Sequence, residues 1–227
     1  MDILTKGQRA ILQCVSTVPG QEQFYLTGGT ALAYFYLQHR QSHDLDLFTT
    51  TEELIIPWSH QLEAALHARG MTTERRRGVA SFVELVVQEG PAMTLVQLAL
   101  DAACRFEPTK TFPEFPRLQV DSLADLAANK LLALFGRAML RDFLDVYALV
   151  HHGGFSPEAL MAQAQRKDPG FDVYWLGVAL ERITAFNDTA PEWRMLVKPV
   201  MCQEVQAFYR RWRADIMRQL GGQTPPL

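Results

Sequence analysis

Hydrophobic positions change their period several times along this chain, and each change marks an element. Ile3, Leu4, Ile11, Leu12 and Val15 fall near one helical face, so residues 3–17 are expected to form a packing helix, ended by Val18-Pro19-Gly20. Phe24 to Leu26 is a short apolar run stopped by Thr27-Gly28-Gly29-Thr30, where glycine permits a tight turn and close backbone approach to a ligand. Ala31 to Gln38 has no breaker and suits a short buried helix. Asp44-Leu45-Asp46-Leu47-Phe48 then alternates with period two. In a strand, that pattern turns Leu45 and Leu47 into the core and projects Asp44 and Asp46 together from the other face.

Downstream, Thr49-Thr50-Thr51-Glu52-Glu53 resembles a helix N-terminus, and Pro57 to Ala68 continues as an amphipathic helix stopped by Gly70. Met71–Arg77 and Val79–Val87 read as extended segments meeting at Gly78, and Met93–Leu100 as an apolar strand after the Gly90-Pro91 turn. The prolines and phenylalanines of residues 106–116 exclude regular helix or a central strand, which makes residues 106–117 a linker or packed loop. Helical spacing then dominates: Leu123–Leu134, Leu140–Val150 ended by His151-His152-Gly153-Gly154, a third helix from Ser156-Pro157, Val173–Phe186, and a helix within Pro191–Leu220 kinked at Pro199. The expected fold is α/β (α+β): a mixed sheet of about four or five strands over residues 1–105, a helical lobe over 118–220, and a disordered tail over 221–227.

Composition narrows the class. At 227 residues, 48% hydrophobic and 21% charged, the chain can bury a sizeable core. A net charge of −3 argues against a dedicated double-stranded DNA binder. Cys14, Cys104 and Cys202 lack metal-ligand spacing and read as buried thiols of a reducing compartment. The opening Met1-Asp2-Ile3-Leu4 is unlike a secretory leader, and no apolar run approaches the roughly 20 residues of a membrane span. A cytoplasmic protein without membrane association is expected.

The chemistry concentrates in residues 24–48. Two carboxylates on one strand face repel unless a cation or proton intervenes, and hard oxygen donors favour Mg²⁺ or Mn²⁺. Backbone N–H groups of Gly28, Gly29 and Thr30 at a helix start form an anion site. Metal plus phosphate is as far as these residues go by themselves; an isolated D-x-D is ordinarily a solvated edge, and a Gly-Gly pair ordinarily only a turn. Arg75-Arg76-Arg77 could steer an RNA acceptor, although a solvated strand end is the commoner meaning. Phe208 to Arg213 interleaves aromatics with arginines in the manner of an amphipathic packing helix, with base stacking as the other reading.

Gly28-Gly29-Thr30-Ala31-Leu32, followed by Arg40, Ser42 and Asp44-Leu45-Asp46-Leu47-Phe48, resembles the signature of the nucleotidyltransferase-like abortive-infection toxins (the AbiE toxin family), within the polymerase-β-like nucleotidyltransferase superfamily. A second stretch, Leu126 to Leu134 with Lys130, then Arg137, Arg141-Asp142-Phe143, Asp145 and Tyr147, matches in the same order. The resemblance implies a Mg²⁺- or Mn²⁺-dependent transfer of NMP from an NTP to an acceptor such as a tRNA 3′ end. It also implies that the protein is the toxin half of an abortive-infection or toxin–antitoxin pair. Asp44, Asp46, Lys130 and Asp142 would be catalytic, with Asp44 and Asp46 holding the metal. Gly28, Gly29, Thr30, Arg40, Ser42 and Lys130 would bind the nucleotide, which would lie between core and helical lobe. Arg40 could instead fix the loop, and Asp142 could orient Lys130 or meet the acceptor. Gln97 stands where such enzymes carry a third carboxylate, and an amide is a poor base. Asp101 or Glu84 would then substitute, or the hydroxyl is activated otherwise, or turnover is impaired. The alternatives are a small-molecule nucleotidyltransferase and a nucleotide-binding module without turnover.

Overall fold

The computed structural model describes residues 2–101 and 104–221. The chain divides into two compact units, Met1–Leu126 and Ala127–Leu227. In the first, α1 (Lys6–Val15) begins with a reciprocal cap: Thr5 accepts from the Gln8 N–H while the Gln8 side chain accepts from the Thr5 N–H. β1 (Tyr25–Thr27) runs into α2 (Gly28–Ala31), which continues as a π-helical turn over Leu32–Leu37. β2 (Asp44–Thr49), α3 (Ile55–His67), β3 (Thr72–Val79), β4 (Phe82–Glu89), β5 (Ala92–Leu100), β6 (Lys110–Phe112) and β7 (Phe115–Val120) follow.

The strands form one mixed sheet of order β3-β4-β5-β2-β1-β7-β6, parallel at β2–β5 and β1–β7 and antiparallel elsewhere. Its apolar face carries Leu26, Leu45, Leu47, Val83, Leu85, Val96 and Leu98, all fully buried. Trp58 of α3 stacks on Phe24 with ring centroids 4.1 Å apart. Burying each leucine is worth roughly 1.5–3 kcal/mol. A one-residue slip of β2 would exchange Leu45 and Leu47 for two carboxylates. The apolar face therefore fixes the register that presents Asp44 and Asp46 on the opposite side.

Four local expectations change. The sheet has seven strands rather than four or five. Residues 110–117 do not form the expected linker, because β6, a Pro113-Glu114 turn and the start of β7 occupy them. Pro116 precedes Gln119 and Val120, the β7 residues paired with β1, so the ring removes no ladder donor there. Gly78 lies inside β3, and the chain turns at Ala80-Ser81 instead. Cys104 is exposed, whereas Cys14 and Cys202 are buried. The disorder expected for 221–227 falls, from residue 222 on, outside the described residues.

In the second unit, α4 (Leu123–Arg137) completes its course and ends at Ala138, which holds a left-handed conformation (φ 48°). α5 (Leu140–His152), α6 (Pro157–Lys167), α7 (Val173–Glu181) and α8 (Cys202–Gly221) follow. Ser156 caps α6 by accepting from the Ala159 N–H. Pro199 lies ahead of α8 rather than inside it, so the expected kink is a helix start. Gly177 of α7 abuts Met217 and Ile216 of α8 so closely that a Cβ would overlap the Met217 methyl. Tyr209 and Trp212 are buried, and Phe208 packs on the Tyr147, His151, Tyr209 and Trp212 rings. The Phe208–Arg213 stretch is thus a packing face.

Fully buried Tyr209 donates to the Phe143 carbonyl at 2.5 Å. Tyr209→Phe removes this buried hydrogen bond, leaving the carbonyl only its place in the helical ladder of α5. It is expected to lower unfolding stability by about 0.5–1.5 kcal/mol, read as an earlier urea midpoint with an unchanged slope.

Candidate active site

The glycine turn and β2 meet through close contact. Gly28 has φ +71°, and a Cβ there would overlap Oδ2 of Asp46 and come within 2.7 Å of its Cγ. Only glycine satisfies both the backbone angle and the space. A Cβ on Gly29 would come within 2.7 Å of the Ser42 hydroxyl and 2.8 Å of Arg40 Nη2. Arg40 and Ser42, both buried, therefore lie directly against the turn. Arg40 Nη1 donates to the Gln41 carbonyl at 2.8 Å, and Gln8 Nε2 donates to the Ser42 carbonyl at 2.7 Å, fixing the loop from below. Thr30 uses its hydroxyl to donate to the Asp44 carbonyl at 2.6 Å, so its side chain ties the turn to β2.

Register aligns the polar face. Asp46 lies opposite Thr27 on β1 and beside Gln97 on β5, and Gln97 lies opposite Glu84 on β4. Directly paired residues share a face. Glu84, Gln97, Asp46 and Thr27 thus form one polar row across four strands, and Asp121, just past β7, extends it by accepting from the Thr27 hydroxyl at 2.8 Å. At the other end, Gln97 Nε2 donates to Glu84 Oε2 at 2.9 Å. Of the two candidates to replace the missing carboxylate, Glu84 is the one in this row. Asp101 accepts from the Tyr25 hydroxyl and lies 3.8 Å from Arg105, toward the other end of β5.

Sequence reasoning missed the support on the β1–β7 side. Arg105 donates to Asp121 at 2.7 Å and lies over the Tyr25 ring at 4.3 Å, while the Ser122 N–H also donates to Asp121. Burial pushes the Asp121 carboxyl above the ordinary carboxylate range, with Arg105 and Thr27 pulling the other way. The Tyr36 hydroxyl donates to the Asp121 carbonyl and is pushed up to about 12, chiefly by burial. A polar residue alternating with apolar ones just past a strand was the available signal for Asp121; its partners were not readable.

Asp44 and Asp46 are half-buried, between fully buried Leu45 and Leu47. Among the described residues no three His, Cys, Asp or Glu gather into a metal cage. Two carboxylates suit Mg²⁺, which is typically held by one or two carboxylates with waters and substrate phosphates completing its shell. The missing Gly28 Cβ keeps the space beside Asp46 clear, so these residues fit such an ion with bound nucleotide.

The second motif is rearranged relative to expectation. Buried Lys130 pairs with fully buried Asp145 at 2.8 Å. Asp142 does not orient Lys130: Arg137 grips it with Nε at 2.9 Å and Nη2 at 2.7 Å, and the Met139 N–H donates to it. Asp142 is thereby a cap at the start of α5. The break at Ala138 also removes the expected continuous face from Lys130 to Arg141. Arg75 to Arg77 lie on edge strand β3, where Arg75 pairs with Glu63, Arg76 with Glu74, and Arg77 covers the Phe82 ring. His43 is exposed and His151 stacks on Tyr147 at the end of α5.

Gly28→Ala is expected to destabilise the fold by at least about 1 kcal/mol through the left-handed angle alone. The overlap with Asp46 is expected to abolish Mg²⁺-dependent NTP binding as well, measured by calorimetry.

Known proteins resemble this chain in sequence and in fold. The model of the nucleotidyl transferase AbiEii toxin family, type IV toxin–antitoxin system, matches residues 10–222. An uncharacterized Aquifex aeolicus protein is 24% identical over 208 residues, covering 92% of this chain and 95% of that one. The crystal structure of JHP933 from Helicobacter pylori superposes with a TM-score of 0.60 at 17% identity, over 95% of this chain and 90% of the other. MenT4, a nucleotidyltransferase toxin of Mycobacterium tuberculosis, gives a TM-score of 0.62 at 18% identity, over 93% and 82%. These two likenesses concern the fold; the family match spans nearly the whole chain and both motifs, and this chain belongs to the nucleotidyl transferase AbiEii toxin family.

Proposed function

We propose that this protein transfers a nucleoside monophosphate from an NTP to a hydroxyl acceptor. The observation that carries the reading is the Gly28–Asp46 contact: a turn stripped of side chain against a carboxylate that would otherwise be covered. Asp44 and Asp46 would hold Mg²⁺ or Mn²⁺. A bound ion would neutralise charge on the phosphates and on the departing pyrophosphate. The turn at Gly28, Gly29 and Thr30 would seat the phosphates, with the Arg40 guanidinium behind Gly29 adding positive potential. Leu45 and Leu47, buried beneath, hold both carboxylates in place as the reaction proceeds.

Lys130 would supply a further cation to the nucleotide phosphates, with Asp145 keeping its ammonium in one orientation. The acceptor proposed is the 3′ end of a tRNA. Residues 127–227 carry twelve Lys and Arg against ten Asp and Glu, while the first unit carries ten against fifteen, which supports contact of a polyanion with residues 127–227. In the cell the protein would act as the toxin of an abortive-infection or toxin–antitoxin pair, in the cytoplasm, countered by a cognate antitoxin; the family match supports that role. No helix among the described residues is long and apolar enough to cross a membrane.

Purified protein incubated with Mg²⁺, each α-labelled NTP and total RNA is expected to label tRNA-sized bands. Asp46→Asn should cut labelling by roughly a thousandfold and relieve growth inhibition, with an unchanged circular dichroism spectrum. Undiminished labelling by Asp46→Asn would remove the assignment.

A further inference from the structure

Gln97 poses a chemical problem, because it sits beside Asp46 on the adjoining strand and an amide cannot take the proton of an attacking hydroxyl. Strand register puts a carboxylate in the same row, one strand further out. Glu84 is directly opposite Gln97 on β4, on the face shared with Asp46. The Cα atoms of Glu84 and Asp46 are separated by two strand spacings, about 10 Å. Gln97 stands between them in the row, and its Nε2 donates to Glu84 Oε2 at 2.9 Å. One donated hydrogen bond occupies a single acceptor position of the carboxylate, so the others can receive a proton. Both side chains are half-buried, with buried Val83 and Leu85 anchoring β4 on either side of Glu84. The opposing position on β3 is Arg77, whose guanidinium lies over the Phe82 ring at 5.3 Å. The next carboxylate along the row is Asp46, and Asp44 lies two residues away on β2.

We propose that Glu84 is the general base of this protein, with Gln97 as the residue that positions it. This rests on the transferase reading above. The acceptor's O–H proton passes to a Glu84 carboxylate oxygen as the acceptor oxygen bonds to the α-phosphorus. The bond from the α-phosphorus to the oxygen bridging to the β-phosphorus breaks, and pyrophosphate leaves with that electron pair. Glu84 then returns its proton to solvent. The expected third carboxylate is thus relocated by one strand, and Gln97 is its hydrogen-bond donor.

The test uses the full chain with Mg²⁺, α-labelled NTPs and total RNA. Glu84→Gln is isosteric and half-exposed, so it retains the fold. It is expected to lower the transfer rate about 100-fold or more, with NTP affinity by calorimetry within about threefold of the wild type. The exchanged pair E84Q/Q97E keeps one amide and one carboxylate in contact on the same two strands. It should recover at least tenfold over E84Q. Transfer by E84Q within threefold of the wild type would overturn the proposal, as would an exchanged pair no better than E84Q. Absence of transfer by the wild type itself, with any NTP, overturns the transferase reading and this inference with it, and is distinguished by occurring before any substitution.

Discussion

The contact between the Gly28 backbone and the Asp46 carboxylate is the constraint on which the first unit depends. It needs a residue with φ +71° and no Cβ at one end of β1, and an acid at one register position of β2. Everything nearby serves that placement. Leu45 and Leu47 forbid β2 from slipping, Thr30 ties the turn to the Asp44 carbonyl, and Arg40 and Ser42 fill the space beside Gly29. The energies decide the order of importance. Register is held by several buried leucines at roughly 1.5–3 kcal/mol each, whereas each polar tie contributes about 1 kcal/mol. Apolar burial places the carboxylates, and the hydrogen bonds only aim them.

The buried charges of the second unit follow a different balance. Lys130–Asp145 and Arg137–Asp142 each bury a carboxylate completely. Formation of such pairs adds little net stability, since desolvation offsets the attraction, but removing one partner strands the other at a cost of about 3–5 kcal/mol. These pairs therefore act as restraints: they tolerate few alternatives at either end. Arg137, half-exposed, can screen its pair with solvent, while Lys130 and Asp145 cannot. That difference separates a helix cap at Asp142 from a rigidly held ammonium at Lys130.

Much of this was legible in the chain. Period-two alternation around Asp44 and Asp46 gave the strand and its faces, and Gly28-Gly29 gave the turn, because both signals are local. The ends of the sheet were not, since three prolines between residues 106 and 116 mimic a linker; only the tertiary pairing of Gln119 and Val120 with β1 shows that they sit at turns and strand starts. Ala138, not Gly136, breaks the helix after Lys130, and a left-handed alanine leaves no mark in composition. The choice between Asp101 and Glu84 depended on inter-strand register, which a single sequence does not encode. The partners of Lys130 and Asp142 were unreadable for the same reason: spacing shows which residues share a helix face, but not which carboxylate a cation reaches.

The central claim is that Asp44, Asp46 and the glycine turn together hold a metal–nucleotide complex. Its most direct test is anomalous scattering from crystals soaked with Mn²⁺ and a non-hydrolysable NTP. The account predicts one strong manganese peak bridging the carboxylates of Asp44 and Asp46, with triphosphate density running to Gly28 and Gly29. Nucleotide bound elsewhere, or bound here with no manganese at this pair, would contradict it.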